Sequence, residues 1–190
     1  MWKLKQIITL LLSIHIILGQ EFVSAQEPLE ELPLKMGYKS IEDAVLECEE
    51  HFGRDIRLPL KLPPIVFTHQ FGRCNNSVGE NNDELEIEFI SELDSANHYL
   101  ISVRPDSNNK KFPPKRNVVK IYKLKDNSNA FYGTLGSAFD FLSFEKAGWH
   151  YILSVDHRAA EKVSPEKLVE IADSVIITYP DPSKENPLLR

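Results

Sequence analysis

Three glutamates, Glu84, Glu86 and Glu88, recur at every second position of an extended stretch. On a strand that period puts their carboxylates on one face, about 6.5–7 Å apart. Beside a second acid the spacing would suit glycoside hydrolysis, and with converging oxygens it would suit calcium. Leu85, Ile87 and Phe89 alternate with them throughout, however, which is the pattern of a half-buried strand with one solvated side. Nothing adjacent supplies the apolar surround that would raise one carboxyl pKa for acid catalysis. The glutamates are therefore read as a wet face.

Past the first 25 residues the histidines are His51, His69, His98, His150 and His157. No two share the i, i+4 spacing of a helical zinc site, and none stands with a cysteine at finger spacing. Asp156-His157 has the types for two thirds of a hydrolytic triad. A nucleophile on a sharp elbow would have to complete it, and Gly133-Thr134-Leu135-Gly136-Ser137 is not G-x-S-x-G. Neither the Walker nor the dinucleotide glycine pattern occurs. The residues imply no catalytic group, no cofactor and no metal.

Cys48 and Cys74 are the chain's two cysteines. In an oxidising compartment they offer one disulfide; alternatively, Cys48 is a small apolar residue on the buried face of its helix. Spacing alone leaves both readings open, because a bridge depends on Cβ geometry. Asn75-Asn76-Ser77 has the form of a glycosylation sequon, relevant to a eukaryotic secretory route. The most unusual surface segment is basic. Lys110, Lys111, Lys115 and Arg116 bracket Phe112 and two prolines in an otherwise acidic chain. It is either a solvated loop or a contact for a protein partner, an anionic lipid or a wall polymer.

The elements that must position these groups centre on residues 148–177. Trp149, Tyr151, Leu153 and Val155 alternate with His150, Ile152 and Ser154, predicting a strand with one strongly apolar face. Ser164 then caps a helix with Pro165 at its first position, and Leu168, Ile171, Ala172 and Val175 form one helical stripe. Tyr179-Pro180 marks its stop. A first helix begins at the Ser40 cap, buries Ile41, Ala44, Val45, Cys48 and Phe52, and ends at Gly53. The proline-rich stretch 57–64 is expected to run extended into a strand over 65–71, and 74–83 reads as a loop. Period-two stretches over 84–89, 99–103, 118–124, 130–135, 138–144 and 148–155 follow. The fold class is α+β: a curved antiparallel sheet, a meander, with an N-terminal and a C-terminal helix packed on it.

The beginning of the chain reads as an address. Lys3 and Lys5 precede an apolar run of about 12 residues, shorter than the roughly 20 that span a bilayer. Val23-Ser24-Ala25 then supplies the small residues of a signal-peptidase site. The expected organisation is a signal peptide over 1–25, a lead-in over 26–39, one domain over 40–180 and a loosely ordered tail over 181–190. Cleavage after Ala25 sends the protein outside the cytoplasm; an uncleaved leader would instead retain it at the membrane. The formal charge is −6, and Lys3, Lys5 and Glu21 of the leader sum to +1, leaving −7. Such a chain is a poor nucleic-acid binder, and no basic stripe with interleaved aromatics offsets that.

The order of a Ser40–Ala44 helix start, the 58–64 segment LPLKLPP, a sheet, a tryptophan strand and a closing SPEKLVEIADSV helix resembles a known family. It is similar to uncharacterised extracytoplasmic domains of spore-forming Gram-positive bacteria, of the anti-sigma-factor-associated C-terminal type. The resemblance is concentrated in residues 148–175. It implies a curved antiparallel sheet with helices packed on it and contributes no catalytic residues. The expected function is that of an exported, non-catalytic domain binding a protein or a cell-envelope component. The alternative is a carrier or sensor of a small apolar ligand, suggested by Phe139, Phe141, Trp149 and Tyr151. A secreted hydrolase using the glutamates is a distant third.

Overall fold

The computed structural model describes residues 31–76, 83–107 and 115–176. Among the described residues three α-helices accompany a seven-stranded, wholly antiparallel sheet. The helices are α1 (Glu31–Lys35), α2 (Ile41–Phe52) and α3 (Pro165–Ala172). The strands are β1 (His69–Asn75), β2 (Glu84–Ile90), β3 (Tyr99–Pro105), β4 (Val118–Lys123), β5 (Asn129–Leu135), β6 (Phe139–Lys146) and β7 (Trp149–Asp156). The class is α+β, as expected, but the sheet is not strongly curled. Among the described residues no helix is long and apolar enough to cross a membrane.

The spatial order is β1-β2-β3-β7-β6-β5-β4, so the sheet is two antiparallel runs and not the single meander the spacing suggested. β3 pairs with β7, and the chain must travel from mid-sheet to the far edge before β4 starts. Its return is recorded at Gly133. A Cβ there would stand 1.9 Å from the Asn117 carbonyl oxygen, so only glycine lets the returning backbone lie on β5. Asn117 then fastens itself by donating from Nδ2 to the Thr134 carbonyl at 2.9 Å.

One sheet face carries the apolar core. Leu85, Ile87, Tyr99, Ile101, Val103, Leu142, Phe144, Tyr151, Leu153 and Val155 project there, and Phe144 stacks on Tyr151 with centroids 5.0 Å apart. α3 closes this face with Leu168, Ile171 and Ala172. It stops before Tyr179-Pro180, because the Ser174 N–H and hydroxyl both turn back to the Ile171 carbonyl. Val175 is nevertheless buried, just beyond the helix.

α2 covers the β1 end of the same face. Ser40 Oγ accepts from the Asp43 N–H, and Gly53, at φ 67°, ends the helix in the left-handed region. A Cβ on Gly72 would meet Ala44 Cβ at 2.7 Å, so the missing side chain sets how closely α2 lies on β1. Between α2 and α3 runs the proline-rich stretch. Of its prolines Pro63 is buried, where a missing N–H leaves no donor to satisfy. Trp149 Nε1 donates to the Asp55 carbonyl at 3.0 Å and the Tyr151 hydroxyl to the Arg57 carbonyl at 2.8 Å. Arg54 lies over the Trp149 ring at 3.8 Å, and the Leu60 N–H reaches Ser174.

Several local expectations are corrected. β1 starts at His69 rather than 65 and continues through Cys74 and Asn75, read from composition as loop. The lead-in holds α1, and Lys39 bridges to Gly72, with N–H to carbonyl distances of 2.8 and 2.9 Å. The strongly apolar face of β7 is buried as read, and its other face is buried as well. The leader 1–25, the rest of the lead-in and the tail 181–190 lie outside the described residues.

Candidate functional site

The face opposite the helices gathers most of the groups with chemical potential. In-register partners share a face, so Glu84, Glu86 and Glu88 stand beside Arg73 of β1, Ser102 and Arg104 of β3, and His150 of β7. Each glutamate has its own donors. Glu86 accepts from Arg73 Nη2 at 3.0 Å and from the Tyr38 hydroxyl. Glu88 Oε1 lies 2.8 Å from His98 Nε2, close but without hydrogen-bond alignment. Glu84 accepts from the Ser102 hydroxyl and has Arg104 Nη2 at 3.8 Å. Burial, with help from Glu86, pushes the Tyr38 phenol well above its ordinary range, so it stays a donor.

The carboxylates are thus half-buried, Glu84 and Glu86 facing arginines and Glu88 an imidazole, not a fully wet face. They point at three separate partners, whereas a glycosidase needs two carboxyls facing one bond and calcium needs converging oxygens. Among the described residues no group of three or more His, Cys, Asp or Glu could hold a metal ion.

The closest approach to a catalytic pair lies at the centre of this face and was not anticipated. Ser143 Oγ and His150 Nε2 are 2.6 Å apart, with the residues only 1% and 8% exposed. Burial, followed by the nearby Arg104 charge, pushes the imidazole down to about 4, so it is neutral near pH 7. A hydroxyl against a neutral imidazole is the pairing of a nucleophile with its base. The serine here is enclosed, and the hydrogen bond satisfies two buried polar groups. The sequence held a signal for it. Ala147 and Gly148, at φ 51° and 78°, make a two-residue turn, and counting outward from it puts Ser143 and His150 on one face, diagonally adjacent.

The sequence-level triad candidate resolves differently. Asp156 caps the 3-10 turn His157–Ala159 and binds Arg158 Nη2 at 2.7 Å, which holds its carboxyl below the usual range. His157 Nδ1 instead meets the buried Asp140 at 2.9 Å. Gly136 lies in the turn between β5 and β6, at φ 62°, with no strand-to-helix elbow around it. His51 pairs with Asp83 at 2.8 Å, and His69 lies 3.9 Å from Glu92.

The four aromatics that suggested an apolar ligand do not share a cavity wall. Phe139 and Phe141 project from the polar face, whereas Trp149 and Tyr151 are on the helix face holding the proline-rich stretch. The core's orphaned polar atom is Tyr99 Oη, fully buried with no hydrogen-bond partner among the described residues. Burial pushes that phenol far above its ordinary range.

Cys48 and Cys74 are disulfide-bonded, their Cα atoms 5.4 Å apart, which ties α2 to β1. Of the basic segment, Lys110, Lys111 and Phe112 lie outside the described residues; Lys115 opens the 3-10 turn Lys115–Asn117, and Arg116 is exposed. That turn delivers the chain to β4, the last strand of the sheet. No family model, curated protein or solved structure matches the chain.

Proposed function

We propose that this chain is an exported domain that acts by binding a protein or a cell-envelope component and performs no turnover. The observation that carries this reading is the engagement of its reactive side chains. Glu84, Glu86 and Glu88 are tied to Arg104, Arg73 and His98, and Ser143 and His150 close on each other inside the sheet. Groups held so cannot change partners without disturbing the fold. The Cys48–Cys74 bond is weakly consistent with an extracytoplasmic location. The leader composition and the likeness to extracytoplasmic domains favour the same address.

Two measurements test it. Protein recovered from medium and envelope should have a mass beginning at Gln26, about 2 Da light for one disulfide; a retained leader would replace the secreted form with an anchored one. A screen of ester, glycoside and peptide substrates should show no turnover. Turnover that disappears in Ser143→Ala or His150→Gln would overturn the reading, as would turnover lost in Glu86→Gln or Glu88→Gln.

A second reading rests on Tyr99. A buried phenol without a partner inside an apolar face fits a carrier whose small, mostly apolar ligand supplies one acceptor. Native mass spectrometry of protein from its producing cells would show that ligand as added mass, and bare protein would exclude this reading.

A further inference from the structure

The two ends of the sheet are treated differently. At β1 the outward N–H and C=O of Gly72 are taken up by Lys39. At β4 nothing comparable occurs among the described residues: β5 is the partner on one side, and the other side is the edge of the sheet.

The register says which groups face out. The Leu124 N–H donates to the Ser128 carbonyl at 3.0 Å, closing the β4–β5 turn. Hydrogen-bonded positions alternate along an antiparallel pair, so Tyr122 and Lys120 direct their backbone to β5. Ile121 and Lys123 therefore turn their N–H and C=O outward. The irregularity between Val118 and Lys120 ends the regular run on the other side. Among the described residues, what remains is a short, regular stretch with no partner strand on its outer side.

Its side chains carry both apolar surface and positive charge. Ile121 is 56% exposed and Val119 70% exposed, unusual for large aliphatics on an edge. The strand VVKIYK has two lysines and no acid, and Arg116 is exposed just before it. Glu166 lies 3.8 Å from Lys120, but Lys123 Nζ donates to the neutral Asn127 carbonyl and makes no ion pair among the described residues. A second copy of the chain fits poorly, because edge-to-edge pairing would put four lysines on one two-stranded ribbon.

Resting on the binding reading above, we propose that the β4 edge is the docking surface. It takes a short extended segment of a partner protein in which apolar and acidic residues alternate. The segment adds as an eighth strand and its backbone pairs with Ile121 and Lys123; its apolar side chains cover Ile121 and the stem of Lys123 on one face, and its carboxylates meet Lys120 on the other.

The test uses the full exported chain with its disulfide intact and a short fluorescent peptide alternating valine and glutamate, followed by anisotropy. The glutamate peptide should bind at least about tenfold more tightly than its lysine counterpart, and less tightly as salt rises. Ile121→Pro, which removes an outward N–H, and the double variant Lys120→Glu/Lys123→Glu should each weaken binding by about tenfold or more, with thermal unfolding near the parent's. Equal affinity for the two peptides, or full affinity in a folded double variant, would overturn the assignment. So would self-association in sedimentation that Ile121→Pro abolishes, since the occupant would then be a second copy. Failure of the peptide arm leaves the substrate screen unaffected, and turnover in that screen overturns the binding reading whatever the peptide does.

Discussion

The β1 edge and the β4 edge end the same sheet with opposite solutions. At β1 the backbone is bridged by Lys39, α2 is laid on Gly72, and Cys48–Cys74 locks helix to strand. At β4 the strand has one strand neighbour among the described residues, carries exposed Val119 and Ile121, and is defended by lysines. An unpaired edge invites association, so proteins usually cover it or charge it. This molecule does the first at one end and the second at the other. The contrast teaches that closure at β1 is structural, while at β4 the described residues supply no strand beyond β5, the opening on which the docking proposal rests.

The largest expected effect comes from breaking the closed edge. The bridge spans a sequence separation of 26, for which loop-closure entropy gives a stabilisation of about 3.5 kcal/mol. Cys48→Ala/Cys74→Ala should lower the free energy of urea unfolding by roughly that amount. Reduction of the parent should do the same.

Acid should act next, at the sheet centre between the edges. His150 titrates at about 4 in the folded state against about 6.5 when unfolded. Between those values the unfolded chain binds a proton that the folded one refuses. Stability is therefore lost as pH falls from about 6.5 towards 4, by up to about 3 kcal/mol from this residue. Urea unfolding of His150→Gln across that range should show a shallower loss than the parent; identical slopes would contradict the buried, neutral imidazole.

Gly72→Val tests the helix-to-strand approach and should cost about 1–3 kcal/mol through overpacking. The smallest effect belongs to the open edge. Ile121→Thr should change stability by no more than about 0.5 kcal/mol, since the side chain already faces solvent. Thermal unfolding of the two variants side by side sharpens the comparison.

Much of the frame was legible because it is written in near neighbours. Ser40, Gly53 and Ser164 mark helix ends by local chemistry, and the alternation of Trp149 to Val155 reports a strand directly. What was hidden depends on partners far away in sequence. Cys74 sits where Asn and Gly imply a loop, yet pairing with Leu85 makes it strand and brings it to Cys48. The prolines before 65 gave no hint that Trp149 and Tyr151 would hold that stretch by its carbonyls. The detour from β3 to β4 left a single local trace, Gly133, which has meaning only once Asn117 lies over it. The Glu84–Glu88 ladder was placed correctly on one face, but its partners come from β1, β3 and the segment before β3.

Residue-resolved amide hydrogen exchange on the intact monomer tests the central contrast most directly. The N–H groups of Lys39 and Gly72 should be strongly protected, those of Ile121 and Lys123 should exchange readily, and the acidic strand peptide should slow the second pair alone. Protection of Ile121 and Lys123 equal to that of Gly72 in the peptide-free monomer would mean that the β4 edge is already closed, and would contradict the account.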